Sequence, residues 1–146
     1  MHSFRKQLQR KKENDDDRCS EVVPCDDRGR DLDEAASFYA KLFGIEGQRH
    51  PGARHYFDCG GVILAVLEPT QGGLTPTPGP QSLYFAVTDL DAVHERAKEL
   101  DALAPYKVHG VAAGTITKRP WGERSFYVVD KWGNDLCFVE DGTLYT

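Results

Sequence analysis

The side chains with chemistry to offer in this sequence are five histidines, four cysteines and a turn that carries Trp121 and Arg124. His50 and His55 flank a predicted strand start, His94 follows the apolar Val93 in a predicted helix, and His109 lies in a long loop. With His2 in the N-terminal tail, no two histidines show the spacing with which paired imidazoles grip a metal. His55 shares its candidate strand with Phe57, and either is placed to face a cleft; a lone strand histidine is more often structural than catalytic. Cys19, Cys25, Cys59 and Cys137 form no CxxC pair. That spacing argues against a zinc knuckle and for free thiols, partly buried as small hydrophobes. Cys59 stands beside Gly60-Gly61 in a turn, which alone does not depress a thiol pKa. There is no GxSxG elbow, no P-loop and no GxGxxG.

Trp121 sits in Arg119-Pro120-Trp121-Gly122-Glu123-Arg124, a turn-rich segment just before a predicted strand. An exposed indole beside a guanidinium can stack a planar ligand and pair its anionic group. The plainer expectation is that Trp121 caps a sheet and Arg124 bridges to Glu123 or another carboxylate. The other ligand-lining candidates are aromatic: Tyr56, Phe57, Tyr84, Phe85, Phe126 and Tyr127. Strand alternation lets only one member of each neighbouring pair face a cleft, and most of these rings belong to the core. Tyr56, Tyr84, Trp121, Arg124 and His55 are the expected ligand-binding residues.

The elements that must position them follow from the pattern. Asp31-Leu32-Asp33-Glu34 has the form of a capping box, and Ala35, Phe38 and Leu42 form a helical stripe that Gly44 stops. A second helix opens at Asp89-Leu90-Asp91, with Leu90, Val93, Ala97 and Leu100 as its stripe. Ser82–Val87 reads as the strand before it. The strand before the first helix, around Glu21–Cys25, is poor: Pro24 removes a ladder donor, so it should be short, bulged or at an edge. Each helix is followed by a hairpin, Arg54–Asp58 into Val62–Leu67 and Ser125–Val129 into Leu136–Val139. Residues 69–80, rich in Pro, Gly and Thr, read as a linker between a first module (19–70) and a second (81–141), both within one domain over 19–146. Residues 1–18 are a charged tail, basic and then acidic, and read as disordered. A nucleic-acid arm is the sharper alternative there, offset by the acidic run.

DLDEAASFYAKLFG matches DLDAVHERAKELDA 58 positions later, and Gly60-Gly61 matches Gly133-Asn134 at 73. One supersecondary unit is used twice. With WGERSFYVVDKWGNDLCFVE these segments make the chain, over about residues 29 to 141, similar to the glyoxalase/bleomycin-resistance (vicinal oxygen chelate) family. The resemblance implies an α+β fold of two tandem βαβββ modules, a curved mixed sheet around a cleft, and frequent dimers. It also spans lyases such as glyoxalase I, ring-cleaving dioxygenases, epimerases and metal-free sequestering proteins, so fold does not decide function. Catalytic members place a His or Glu metal ligand on the first and last strand of each module. The two repeat offsets put Pro24 and Ser82 at the leading positions and Leu64 and Cys137 at the trailing ones. These cannot together hold a divalent metal. A register slip would bring in Glu21, Asp26, Glu68 or Glu140.

The net charge of -5 argues against a general nucleic-acid binder. No run approaches the roughly 18 apolar residues of a membrane span, and no signal-peptide core is present, so a cytoplasmic location is expected. The leading expectation is a small-molecule-binding homodimer without metal or other cofactor, taking a planar or aromatic ligand in the sheet cleft. The alternative is a divalent-metal lyase or dioxygenase whose ligands this register misses. The third is a non-catalytic dimerisation module.

Overall fold

A computed structural model describes residues 4–7, 19–22, 32–51, 54–67 and 82–144, the first two stretches by their backbone only. Its elements in chain order are β1 (Phe4–Gln7), β2 (Cys19–Val22), α1 (Leu32–Phe43), β3 (Gln48–His50), β4 (Arg54–Asp58) and β5 (Ile63–Leu67). There follow β6 (Leu83–Val87), α2 (Leu90–Glu99), β7 (Lys107–Val108), β8 (Val111–Ala112), β9 (Thr117–Lys118), β10 (Arg124–Val129) and β11 (Asp135–Glu140). One sheet runs β2-β5-β4-β3 and another β1-β6-β11-β10-β9. Apart from β1, the two share one strand order, with β2 parallel to β5 as β6 is to β11. This is an α+β fold of two βαβββ units.

Both helices form where their stripes predict. Leu32, Ala35, Phe38, Tyr39, Leu42 and Phe43 of α1 are buried, as are Leu90, Val93 and Ala97 of α2. Asp89 caps α2 by accepting from the Ala92 amide at 3.0 Å. Asp31, the expected cap of α1, lies outside the described residues. Gly44 ends α1 at φ 70°, where its amide reaches back to the Ala40 carbonyl at 2.9 Å.

The two helices meet between the sheets, and one core joins both units. Phe43 of α1 lies 5.8 Å from Phe57 of β4 and 5.2 Å from Phe85 of β6, ring centre to ring centre. Phe38 meets Trp132 edge-on at 6.0 Å. Such pairs add about 0.5–1.5 kcal/mol each beyond the area they bury. A polar tie crosses the same core: the Tyr39 hydroxyl donates to Asp130 in the β10–β11 turn. Asp130 also accepts from the amides of Trp132 (2.9 Å) and Asn134 (2.8 Å) and from the Asn134 side chain. Its burial is tolerable because its lone pairs are met.

Two expectations change here. Phe4–Gln7, inside the tail read as disordered, pairs antiparallel with β6. Its pairing is long-range and leaves no local pattern in a polar, charged stretch; what calls for it is the otherwise open edge of β6. The first strand is short and at a sheet edge as Pro24 suggests, but it lies at Cys19–Val22, earlier than expected. Pro24 itself and the 69–80 linker lie outside the described residues.

Candidate ligand-binding face

Each sheet has one face on the helices and one turned away. In the second unit Phe85, Val87, Phe126, Val128, Leu136 and Phe138 enter the helix-side core. Alternation sends Tyr84, Ser125, Tyr127, Cys137 and Val139 to the opposite face. In the first unit Phe57, Leu64 and Val66 point to the core, leaving Tyr56 and its cross-strand partner Ala65 on the other side. In each neighbouring Phe/Tyr pair of the strands, then, the phenylalanine takes the core and the tyrosine the outer face. The physical reason is the hydroxyl, which needs a partner or water.

The outer face of the second unit carries a connected polar group set. The hydroxyls of Tyr84 and Tyr127 lie 3.4 Å apart. Arg119, only 3% exposed, donates from Nε to the Ser125 hydroxyl at 3.0 Å and lies 5.3 Å over the Tyr127 ring. Tyr106 donates to Asp135 at 2.9 Å, and its ring is 6.5 Å from that of Tyr127. Trp121, 38% exposed, donates from Nε1 to Glu123 at 2.7 Å and meets His109 edge-on at 5.1 Å. Burial pushes the Cys137 thiol up to about 12, opposed by a hydrogen bond from Tyr127. Burial likewise raises Tyr127 above the usual phenol range, helped by the bond to Tyr84, and raises Tyr106, helped by Asp135. At neutral pH this face therefore presents the neutral hydroxyls of Tyr106 and Tyr127, a neutral thiol and aromatic surface. It can stack a planar molecule and hydrogen-bond its oxygens, but its thiol is no nucleophile.

Of the residues expected to bind ligand, Tyr84 and Trp121 are brought to this face, the indole through Glu123. Tyr56 stands on the corresponding face of the first unit, its ring 4.3 Å from that of His50. Arg124 and His55 are not brought there. Arg124 shares the parity of Phe126 and Val128 and turns to the helix side, where it pairs with Asp91 (3.2 Å) and Glu140 (2.9 Å). Those carboxylates, and not Glu123, are its partners, and bonding to Asp91 raises its pKa. His55 is half-buried on the helix-side face, its ring 4.9 Å from that of Phe57, and its Nε2 meets the Glu46 carbonyl at 2.8 Å. Only a protonated nitrogen bonds a carbonyl, so Nε2 carries the hydrogen. The neighbouring Gly47, at φ +66°, leaves no room for a Cβ, which would stand 2.8 Å from His55 Nε2 and 2.6 Å from the Tyr56 carbonyl. Sequence reasoning missed Arg119 and Ser125; their i, i+6 link across a turn carries no local signal.

The trailing position of the first unit also moves. Four residues separate the paired ends Asp58 and Ile63, and five separate Val129 and Asp135. The extra turn residue means that Cys137 corresponds to Ala65, not to Leu64, which lies on the core side. Ser82 precedes β6 and is exposed. Among the described residues, no three His, Cys, Asp or Glu side chains gather as a metal site requires.

Residues 24–138 match the model of the Glyoxalase/Bleomycin resistance protein/Dioxygenase superfamily, and the chain belongs to that family. No curated protein matches it. Among solved structures it is similar to a glyoxalase/bleomycin resistance protein from Albidiferax ferrireducens T118, with 20% identity, 84% of this chain and 93% of that one covered, and a TM-score of 0.62. The lactoylglutathione lyase from Agrobacterium tumefaciens gives 23%, 84%, 91% and 0.56. A bleomycin-binding protein complexed with bleomycin gives 20%, 77%, 91% and 0.54. At these identities the likeness establishes the fold. No helix among the described residues is long and apolar enough to cross a membrane.

Proposed function

We propose that this chain is a small-molecule-binding protein that takes a planar, oxygen-bearing aromatic ligand on the outer face of its second sheet, without a metal. The carrying observation is the hydroxyl pair of Tyr84 and Tyr127 beside Cys137, bordered by the half-open Trp121. Two polar anchors within an aromatic surface are what orient a ligand of this kind. The bleomycin-binding neighbour, which holds a small molecule on the same fold, supports the reading. Tyr84, Tyr127 and Trp121 are the proposed contacts, with Arg119 holding the Tyr127 ring and Tyr56 reaching the ligand from the first unit of a second copy in a homodimer.

The residues at the family's metal positions do not fit a divalent ion. Ala65 has no donor, Ser82 is a weak ligand, and Cys137 alone cannot hold a metal. The second reading, a metal-dependent lyase or dioxygenase, draws on the lactoylglutathione lyase neighbour. It needs ligands from the residues before α1 or from a partner chain. We also propose a homodimer, because β2 is an open edge strand among the described residues.

The test is a calorimetric titration with metal-free bleomycin and with 2-naphthol, in chelator. Saturable binding of either, near one per chain, supports the reading. Binding that appears only after manganese, nickel or zinc is restored moves the chain to the metal-dependent reading.

A further inference from the structure

We infer that the N-terminal strand β1 is a removable guard on the β6 edge, competing there with the β2 strand of a second copy of this chain. The inference rests on the homodimer proposed above and not on the ligand.

β6 has two neighbours, β11 on one side and β1 on the other. The register on the β1 side runs from Phe4 opposite Val87 to Gln7 opposite Tyr84. Four residues thus cover almost the whole outer edge of a five-residue strand. An uncovered strand of that length offers unpaired amides and carbonyls to any other extended chain.

A second observation says which chain would take the place of β1. β2 and β6 occupy equivalent positions, each at the head of the same strand order and parallel to the last strand of its unit. β2 has β5 on one side and, among the described residues, nothing on the other. Without β1, each chain would present two equivalent open edges. In a two-fold pair, β2 of one copy can add to β6 of the other and the reverse, closing all four edges at once.

β1 blocks that addition and does not invite another. Its sequence, Phe-Arg-Lys-Gln, puts Arg5 and Lys6 in what becomes the terminal strand of the sheet. Charged residues in a terminal strand oppose further pairing. It is also short, four residues long, so few ladder hydrogen bonds hold it. Its position matters to the candidate site as well, since Tyr84 stands in the strand it borders.

The test uses the full chain with Arg5→Pro and Lys6→Pro together. Proline at neighbouring positions removes the ladder donor whichever amide points at β6. Amide exchange is followed residue by residue over Tyr84–Val87 at concentrations low enough to keep the chain monomeric, because β2 of a second copy would protect the same amides. Successive β6 amides point to opposite edges, so those bonded to β11 serve as an internal reference. Sedimentation over a concentration series gives the self-association constant. The expected result is exchange faster by about tenfold or more at alternate β6 amides only, with dimerisation about tenfold tighter than in the unsubstituted chain. Unchanged exchange overturns the pairing. Faster exchange with self-association unchanged or weakened overturns the competition. A chain that stays monomeric with and without the substitutions removes the homodimer itself, whereas a dimer of unchanged strength removes only the competition.

Discussion

The Tyr84 and Tyr127 hydroxyls approach to 3.4 Å across two strands that are not neighbours, with Cys137 of β11 between them. They lie on the sheet face that the helices leave uncovered. With the Tyr127 hydroxyl donating to Cys137, the Tyr84 hydrogen can serve either Tyr127 or a ligand oxygen. Tyr84→Phe is therefore expected to weaken binding of 2-naphthol by about tenfold, the worth of one hydrogen bond, with little change in stability. Calorimetry on the variant checks it.

Arg124→Met separates the two arginines of this region. The Arg124 guanidinium is spent on Asp91 and Glu140 on the helix side, and Asp91 is 70% exposed. Exposed pairs of this kind are screened, so the substitution should cost about 1 kcal/mol or less and leave 2-naphthol affinity within about twofold. Arg119→Met, which strips the support from Ser125 and the Tyr127 ring, should reduce that affinity by more. The reverse order would return Arg124 to the ligand.

Tyr39→Phe removes one donor from the buried carboxylate of Asp130. Leaving a buried acceptor short of a partner costs about 1–3 kcal/mol, read from urea unfolding. Burial holds the Asp130 pKa above the ordinary carboxylate range, and the bonds from Tyr39, Asn134 and Trp132 oppose that rise. Losing Tyr39 should raise it further. A group raised on folding favours the folded state at low pH and loses that contribution as pH climbs. The deficit of Tyr39→Phe should accordingly be larger at neutral pH than in acid.

Alkaline stability follows from the outer face. The Cys137 thiol titrates near 9 when unfolded and is pushed up to about 12 by burial when folded. The folded state holds the extra proton, so its contribution is complete below about pH 8.5 and is lost as pH rises toward 12. Between about pH 8 and about pH 10.5 this amounts to as much as about 2 kcal/mol. Tyr127 and Tyr106 shift in the same direction. Cys137→Ala should shrink the alkaline loss; a loss of equal size would mean that the thiol is not sequestered.

The helices and hairpins were legible because burial imposes a period: Ala35, Phe38 and Leu42, or Phe126 and Val128, repeat with the turn or the pleat. The family was legible from the repeat. The site was less so. Arg119 and Ser125 come together through a turn, and parity, not proximity in sequence, sends Arg124 to one face and Ser125 to the other. The hairpin register slipped by one because the Asp130 turn holds an extra residue that Gly60-Gly61 does not announce. β1 was invisible since its partner lies some eighty positions away.

The most direct measurement is amide chemical-shift mapping of the chain with 2-naphthol and 2-naphthoate in chelator. The account predicts saturable shifts clustered on Tyr84, Ser125, Tyr127, Cys137 and the Trp121 indole, unaffected by chelator. Shifts clustered on the helices or the loops away from this face, or shifts that vanish until metal is restored, would contradict it.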